Sequence, residues 1–100
     1  MQTLRDYYPI SGVYKITSMS TGRVYIGQTK WILKRLTEHV SRLVDKQHTC
    51  SQLQKDFNTF GLADFTVEIL TECTVDQLRA EETRAIRHYD RKGYQLYTHR

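Results

Sequence analysis

One proline and five glycines in 100 residues, with no low-complexity run, leave too little turn-forming material for a linker or a disordered chain. Long hydrophobic runs are also missing. Lys, Arg, Asp or Glu interrupts every apolar segment before the roughly 18 residues of a membrane span, so no membrane association is expected. The first ten residues carry an acid, a proline and two tyrosines where a secretion signal needs a basic patch and then an apolar run. Cysteine is scarce: Cys50 and Cys73 lack a CxxC spacing and have no histidines arranged around them as zinc ligands, and both are read as reduced thiols of a cytoplasmic protein. Acidic residues are the minority charge, 11 against 15 Lys and Arg, and the formal charge of +4 with a pI near 9.2 suits a polyanionic partner. What remains is an ordinary globular composition, 39% hydrophobic and 26% charged, at the length of one domain covering 1–100 with one modest core.

Hydrophobic periodicity divides the chain into six elements. Residues 12–17 and 23–28 are β-branched and aromatic runs around a turn-rich loop, and they are expected to pair as a hairpin. From Ile32 the period lengthens: Leu33, Leu36, Val40 and Leu43 form the apolar stripe of a helix ending near Asp45. Ser51 can cap a second helix with Leu53, Phe57 and Phe60 on its apolar side, which Gly61 stops. Residues 65–70 alternate like a third strand. Thr74 and Gln77 match a capping box opening a helix over 75–89, which Lys92-Gly93 ends. Residues 94–97 read equally as a short strand or an ordered tail. The order β-β-α-α-β-α forbids a repeated βαβ unit and predicts an α+β fold, a small, mostly antiparallel sheet flanked by helices.

Several residues break the packing pattern. Glu82 falls inside the apolar face of the last helix, between Leu78 and Ile86, so its carboxylate is expected to point inward. A buried carboxylate needs an arginine, a proton or a cation; position alone favours an ion pair, with Arg35 as candidate partner, over a metal ligand. Arg35, His39 and Arg42 recur at four and three residues and form a basic helix stripe, suited to phosphate but also common on solvated surfaces. On the two strands, Gly12-Val13-Tyr14 and Tyr25-Ile26-Gly27 each set a glycine beside a tyrosine. That pattern marks close approach of a backbone or ligand, suggestive of an anion at the sheet edge, against the alternative that the tyrosines are core aromatics. A tyrosine acting as a base near neutral pH needs positive charge to lower its pKa from about 10, and Lys15, Arg23 and Arg35 are candidates.

Taken together, Gly12-Val13-Tyr14, Tyr25-Ile26-Gly27, Arg35 with His39, and Glu82 resemble the GIY-YIG nuclease family, most of all the nuclease domains of phage-type homing endonucleases. The run from Val24 to Thr29, followed by Lys34-Arg35-Leu36 and Glu38-His39, carries the resemblance most specifically, and it extends over about 12–94. His48 and the segment 53–61 also fit. The resemblance implies a divalent-metal-dependent endonuclease that hydrolyses DNA phosphodiester bonds, nicking one strand of a duplex per active site. Tyr14 would be the general base, Tyr25 its assistant, Arg35 the phosphate ligand, His39 the residue that orients Tyr14 and water, and Glu82 the ligand of Mg2+ or Mn2+. His48 and Gln95 would support the site, and Lys15, Arg23, Lys34 and Arg42 would contact DNA.

Three departures stand out. Val13 replaces the isoleucine of the motif, Gln95 follows Gly93-Tyr94 where the family often has asparagine, and the sequence stops at Arg100 where many family members continue into a separate DNA-recognition domain. The resulting expectation is a monomer or weak dimer from a phage or bacterial cell, either truncated before a missing or separate DNA-recognition domain or able to find DNA unaided. A structure-selective repair or recombination nuclease and an inactive DNA-binding module are the competing readings.

Overall fold

The computed structural model describes residues 10–97; the ends of the 1–100 domain assignment, with the N-terminal segment, lie outside that range. The predicted order is observed: β1 (Gly12–Ser18), β2 (Val24–Thr29), α1 (Ile32–Val44), α2 (Ser51–Phe60), β3 (Phe65–Glu72) and α3 (Leu78–Arg91). The strands form an antiparallel sheet in the order β2-β1-β3, with Tyr14 opposite Gly27 on one side and Ile69 on the other. None of the helices among the described residues is long and apolar enough to cross a membrane.

Strand alternation sorts the core into two layers. Tyr14, Ile16 and Tyr25 pack with Leu43, Cys50 and Leu53 beneath α1 and α2, while Val13, Val24 and Ile26 pack on the other face with Ala85, Ile86 and Tyr89 of α3. Lys15 therefore falls on the α3 side, away from Tyr14. Its ammonium sits 3.1 Å from Glu68 and 4.8 Å from the centre of the Tyr89 ring.

Boundaries moved where local chemistry outweighed period. The capping box at Thr74 and Gln77 forms, but around a 3-10 turn over Val75–Gln77 that precedes α3. Gly61 ends α2 at φ 82°, a left-handed conformation that glycine adopts without steric cost. On α1 the inward stripe keeps Leu43 and the partly buried Leu36 as predicted but takes Ile32 and His39 in place of Leu33 and Val40, which are 51% and 39% exposed. His39 enters the core because hydrogen bonds await both its ring nitrogens, which removes the usual cost of burying a polar group.

The segment 94–97 resolves as an ordered tail with one parallel bridge, Leu96 to Val24. Tyr97 is buried and its hydroxyl donates to Asp56 Oδ2 at 2.6 Å, while Arg23 lies 3.3 Å from the same carboxylate. Burial first, then the hydrogen bond to Asp56, pushes the Tyr97 hydroxyl up to about 12. The folded chain thus holds this proton more tightly than the unfolded chain, whose tyrosine pKa is about 10. The stability this contributes is complete below about pH 10 and is lost as pH rises towards 12. Urea unfolding at stepped alkaline pH should therefore show a shallower loss of stability in Tyr97→Phe than in the parent; parallel curves would contradict the assignment.

Candidate active site

The site is built on the close approach that the two strand glycines permit. A Cβ at Gly27 would collide with the Tyr14 hydroxyl and lie 2.5 Å from its Cζ, so the ring of Tyr14 crosses the Gly27 backbone. A Cβ at Gly12 would strike the Thr71 carbonyl, at the register shift between Val13 and Tyr14 in the pairing with β3. The intruders are thus the protein's own ring and backbone, and neither glycine has to be explained by an anion at the sheet edge.

Laid across Gly27, the Tyr14 hydroxyl meets His39 Nε2 at 2.6 Å, and His39 Nδ1 meets His48 Nε2 at 2.7 Å. The planes of the two imidazoles are within 17° of parallel, and the His39 ring stands edge-on to Tyr14 and Tyr25. The far end of this chain determines its protons. The Cys50 backbone N–H donates to His48 Nδ1 at 3.0 Å, so a neutral His48 carries its proton on Nε2 and donates to His39 Nδ1. His39 then carries its proton on Nε2 and donates to the Tyr14 oxygen. Gln54 holds the loop that presents His48: its Oε1 accepts from the His48 N–H at 3.1 Å and its Nε2 donates to the Leu43 carbonyl at 3.0 Å. Sequence spacing carried no signal for Gln54 or for the Cys50 amide, because both act through local loop geometry.

Tyr14 is 1% exposed, and burial raises its hydroxyl well above the ordinary tyrosine value. The charge of Tyr25 and that of Glu82 act in the same direction, while Arg35 opposes them through its charge and a hydrogen bond. Tyr25 is raised by burial in the same way, again with Arg35 opposing. The expectation that cations lower the tyrosine pKa is therefore met in direction by Arg35 and outweighed by desolvation. Lys15 and Arg23 are engaged with Glu68 and Asp56.

Arg35 is half-buried and pairs with Glu38 at 3.5 Å, not with Glu82. With Thr29, Trp31 and Lys34 it borders a surface depression, the open approach to the guanidinium. Glu82 is half-buried on the inward side of α3, as its helical phase predicts, and no ion pair within the described residues engages it. Among the described residues no three His, Cys, Asp or Glu side chains cluster as metal ligands. A cation here would take one carboxylate from the protein and fill its shell with water and substrate oxygens, a donor set that suits Mg2+ or Mn2+ and not a structural zinc. Arg42 is exposed, and Gln95, also exposed, gives its backbone carbonyl to Val24.

Truncating His48 should leave the His39 Nδ1 and the Cys50 amide without these partners inside the core. We expect His48→Ala to cost about 1–3 kcal/mol, the usual penalty for an orphaned buried polar group. Urea denaturation measures it, and a midpoint equal to that of the parent would mean that the chain of hydrogen bonds is not formed.

Comparison with known proteins agrees with this geometry. The sequence model of the GIY-YIG catalytic domain matches residues 10–95. Two solved structures superpose closely. The catalytic domain of the homing endonuclease I-TevI is 27% identical with a TM-score of 0.76, covering 88% of this chain and 98% of its own. A mutant of the catalytic domain of the intron endonuclease I-TevI is 28% identical with a TM-score of 0.77, covering 89% and 92%. No curated protein matches by sequence. The α+β order agrees with that match: the chain belongs to the GIY-YIG family and is an endonuclease domain.

Proposed function

We propose that the protein is a divalent-cation-dependent endonuclease that cuts one strand of duplex DNA per active site. The observation that carries this reading is the chain of N–H donors aimed at the Tyr14 oxygen, with a guanidinium and a half-buried carboxylate acting on the same hydroxyl. All of these groups come from one chain, which supports one cut per active site. The catalytic domain it resembles is that of a homing endonuclease, which supports a directed cut in duplex DNA.

Arg35 would bind a nonbridging oxygen of the scissile phosphate, where a planar guanidinium makes paired hydrogen bonds. Tyr14 would accept the proton of the attacking water at its oxygen. His39 Nε2–H already donates to that oxygen, so the proton of Tyr14 cannot pass to His39 without reversing both imidazole tautomers against the Cys50 amide. The base is therefore the phenolate, held by His39 and Arg35, with Tyr25 alongside. A divalent cation at Glu82 would neutralise that carboxylate, ease ionisation of Tyr14, and offset charge on the phosphoryl and leaving oxygens. Lys34 and Arg42, exposed on α1, would meet the flanking backbone.

Supercoiled plasmid incubated with magnesium should convert to open circles, and EDTA, Glu82→Ala or Tyr14→Phe should abolish the conversion. Linear product at early times would instead mean two cooperating sites, and retained nicking in either variant would remove that residue from the mechanism. Because burial keeps Tyr14 protonated near neutrality, the rate should climb with pH through the neutral and mildly alkaline range, by about a decade per unit when ionisation is limiting. A flat profile under single-turnover conditions would contradict the phenolate base.

A further inference from the structure

Arg79, Arg84, Arg87, Arg91 and Lys92 place five exposed cations along the outer side of α3 and just past its end, bordering one stretch of surface with Thr83 and His88. Their pairing sets them apart. Lys15, Arg23 and Arg35 are engaged, with Glu68, Asp56 and Glu38 respectively, and the exposed Lys34 and Arg42 of α1 stand singly and not in a row. On α3 Arg84 lies 3.6 Å from Glu81, but among the described residues Arg79, Arg87 and Arg91 have no carboxylate partner. Asp76 is held by Thr74, and Asp90 offsets only part of the charge.

The plain explanation for cations on a helix end is the macrodipole, which favours Arg91 and Lys92 near the C-terminus. It disfavours Arg79, which occupies the first turn of α3. A solvated face has no need of an arginine there.

Helix geometry starts this row beside the active site and carries it outward along α3. Taking Glu82 as the inward reference at 100° per residue, Arg79 lies about 60° and Arg87 about 140° round on one side, and Arg91 follows at about 180°, on the outer face. Glu81, Ala85 and His88 lie on the other side, beside Leu70 and Thr71 of β3. The flank carrying Arg79, Thr83 and Arg87 thus turns away from β3, starting from the position of Glu82. The row from Arg79 to Arg91 rises about 18 Å at 1.5 Å per residue. That is on the order of five base pairs of duplex at 3.4 Å each.

We infer that this flank of α3 is a backbone-binding track that grips duplex DNA to one side of the cut, through Arg79, Arg87 and Arg91 on phosphates. The inference rests on the reading that DNA is the substrate. Phosphate bonds of this kind position a duplex without reading its sequence, so the track adds affinity and register and no base preference. It also operates apart from catalysis, since none of the three arginines belongs to the Tyr14, His39 and Glu82 constellation.

The test measures binding of a labelled 30-base-pair duplex by fluorescence anisotropy in EDTA over a salt series, beside single-turnover cleavage in magnesium at saturating protein. The triple variant Arg79→Ala, Arg87→Ala, Arg91→Ala should bind at least tenfold more weakly at low salt. Its slope of log Kd against log salt should fall by about 2 to 3, near 0.9 for each phosphate no longer neutralised. The corresponding triple lysine variant should keep the parental slope, and cleavage by saturating alanine variant should proceed at the parental rate. Parental affinity and slope in the alanine variant, with the parent chain still cutting DNA, overturn the track and leave the enzyme assignment standing. A parent chain that neither binds nor cuts DNA overturns both.

Discussion

The hydrogen bond between the Tyr14 oxygen and His39 Nε2, made inside a core where Tyr14 is 1% and His39 2% exposed, is the contact around which the rest of the molecule is arranged. It requires a strand position with no Cβ, because the ring must cross Gly27 to reach the histidine. It requires α1 to turn His39 inward, which leaves Leu33 and Val40 on the surface. It also requires a second histidine behind the first, held by the Cys50 amide and the Gln54 side chain. Sheet, helix and loop each give up something locally favourable to form this one polar line, as functional sites commonly do.

Desolvation dominates the electrostatics of the site. A single half-buried guanidinium lowers the ionisation cost of two phenols but does not cancel what burial imposes on them. Glu82 adds a negative charge on the same side of the balance, so the resting site holds neutral tyrosines beside a half-buried carboxylate. In the proposed mechanism a divalent cation at Glu82 would offset that negative charge as substrate arrives. The preorganised donors would cost nothing further at that moment.

Much of this was legible in the sequence, and the failures share a cause. The hairpin, the three helices, the stop at Gly61 and the inward phase of Glu82 follow from period and turn chemistry and hold in the structure, whereas Ser51 is the first residue of α2 and Cys50 takes the cap position without a side-chain hydrogen bond. Periodicity counts apolar residues, so it chose Leu33 and Val40 for the core and put His39 on a basic surface stripe. The structure buries His39 because both ring nitrogens find partners 25 and 9 residues away in sequence, which no local pattern reveals. The same blindness applies to Lys15 and Arg23: their charge was visible, but Glu68 and Asp56, which occupy them, lie far along the chain. Buried Asp56, taken up by Tyr97 and Arg23, escaped notice for that reason too.

Everything proposed for Tyr14 depends on the protons of His39 and His48 being placed so that the Tyr14 oxygen receives an N–H. Long-range 15N–1H correlation spectra of histidine-labelled protein at neutral pH read this directly, because the shifts of the two ring nitrogens distinguish the tautomers and the imidazolium. The account predicts that both histidines are neutral with the proton on Nε2. A proton on Nδ1 of either ring, or an imidazolium at His39 or His48, would contradict it.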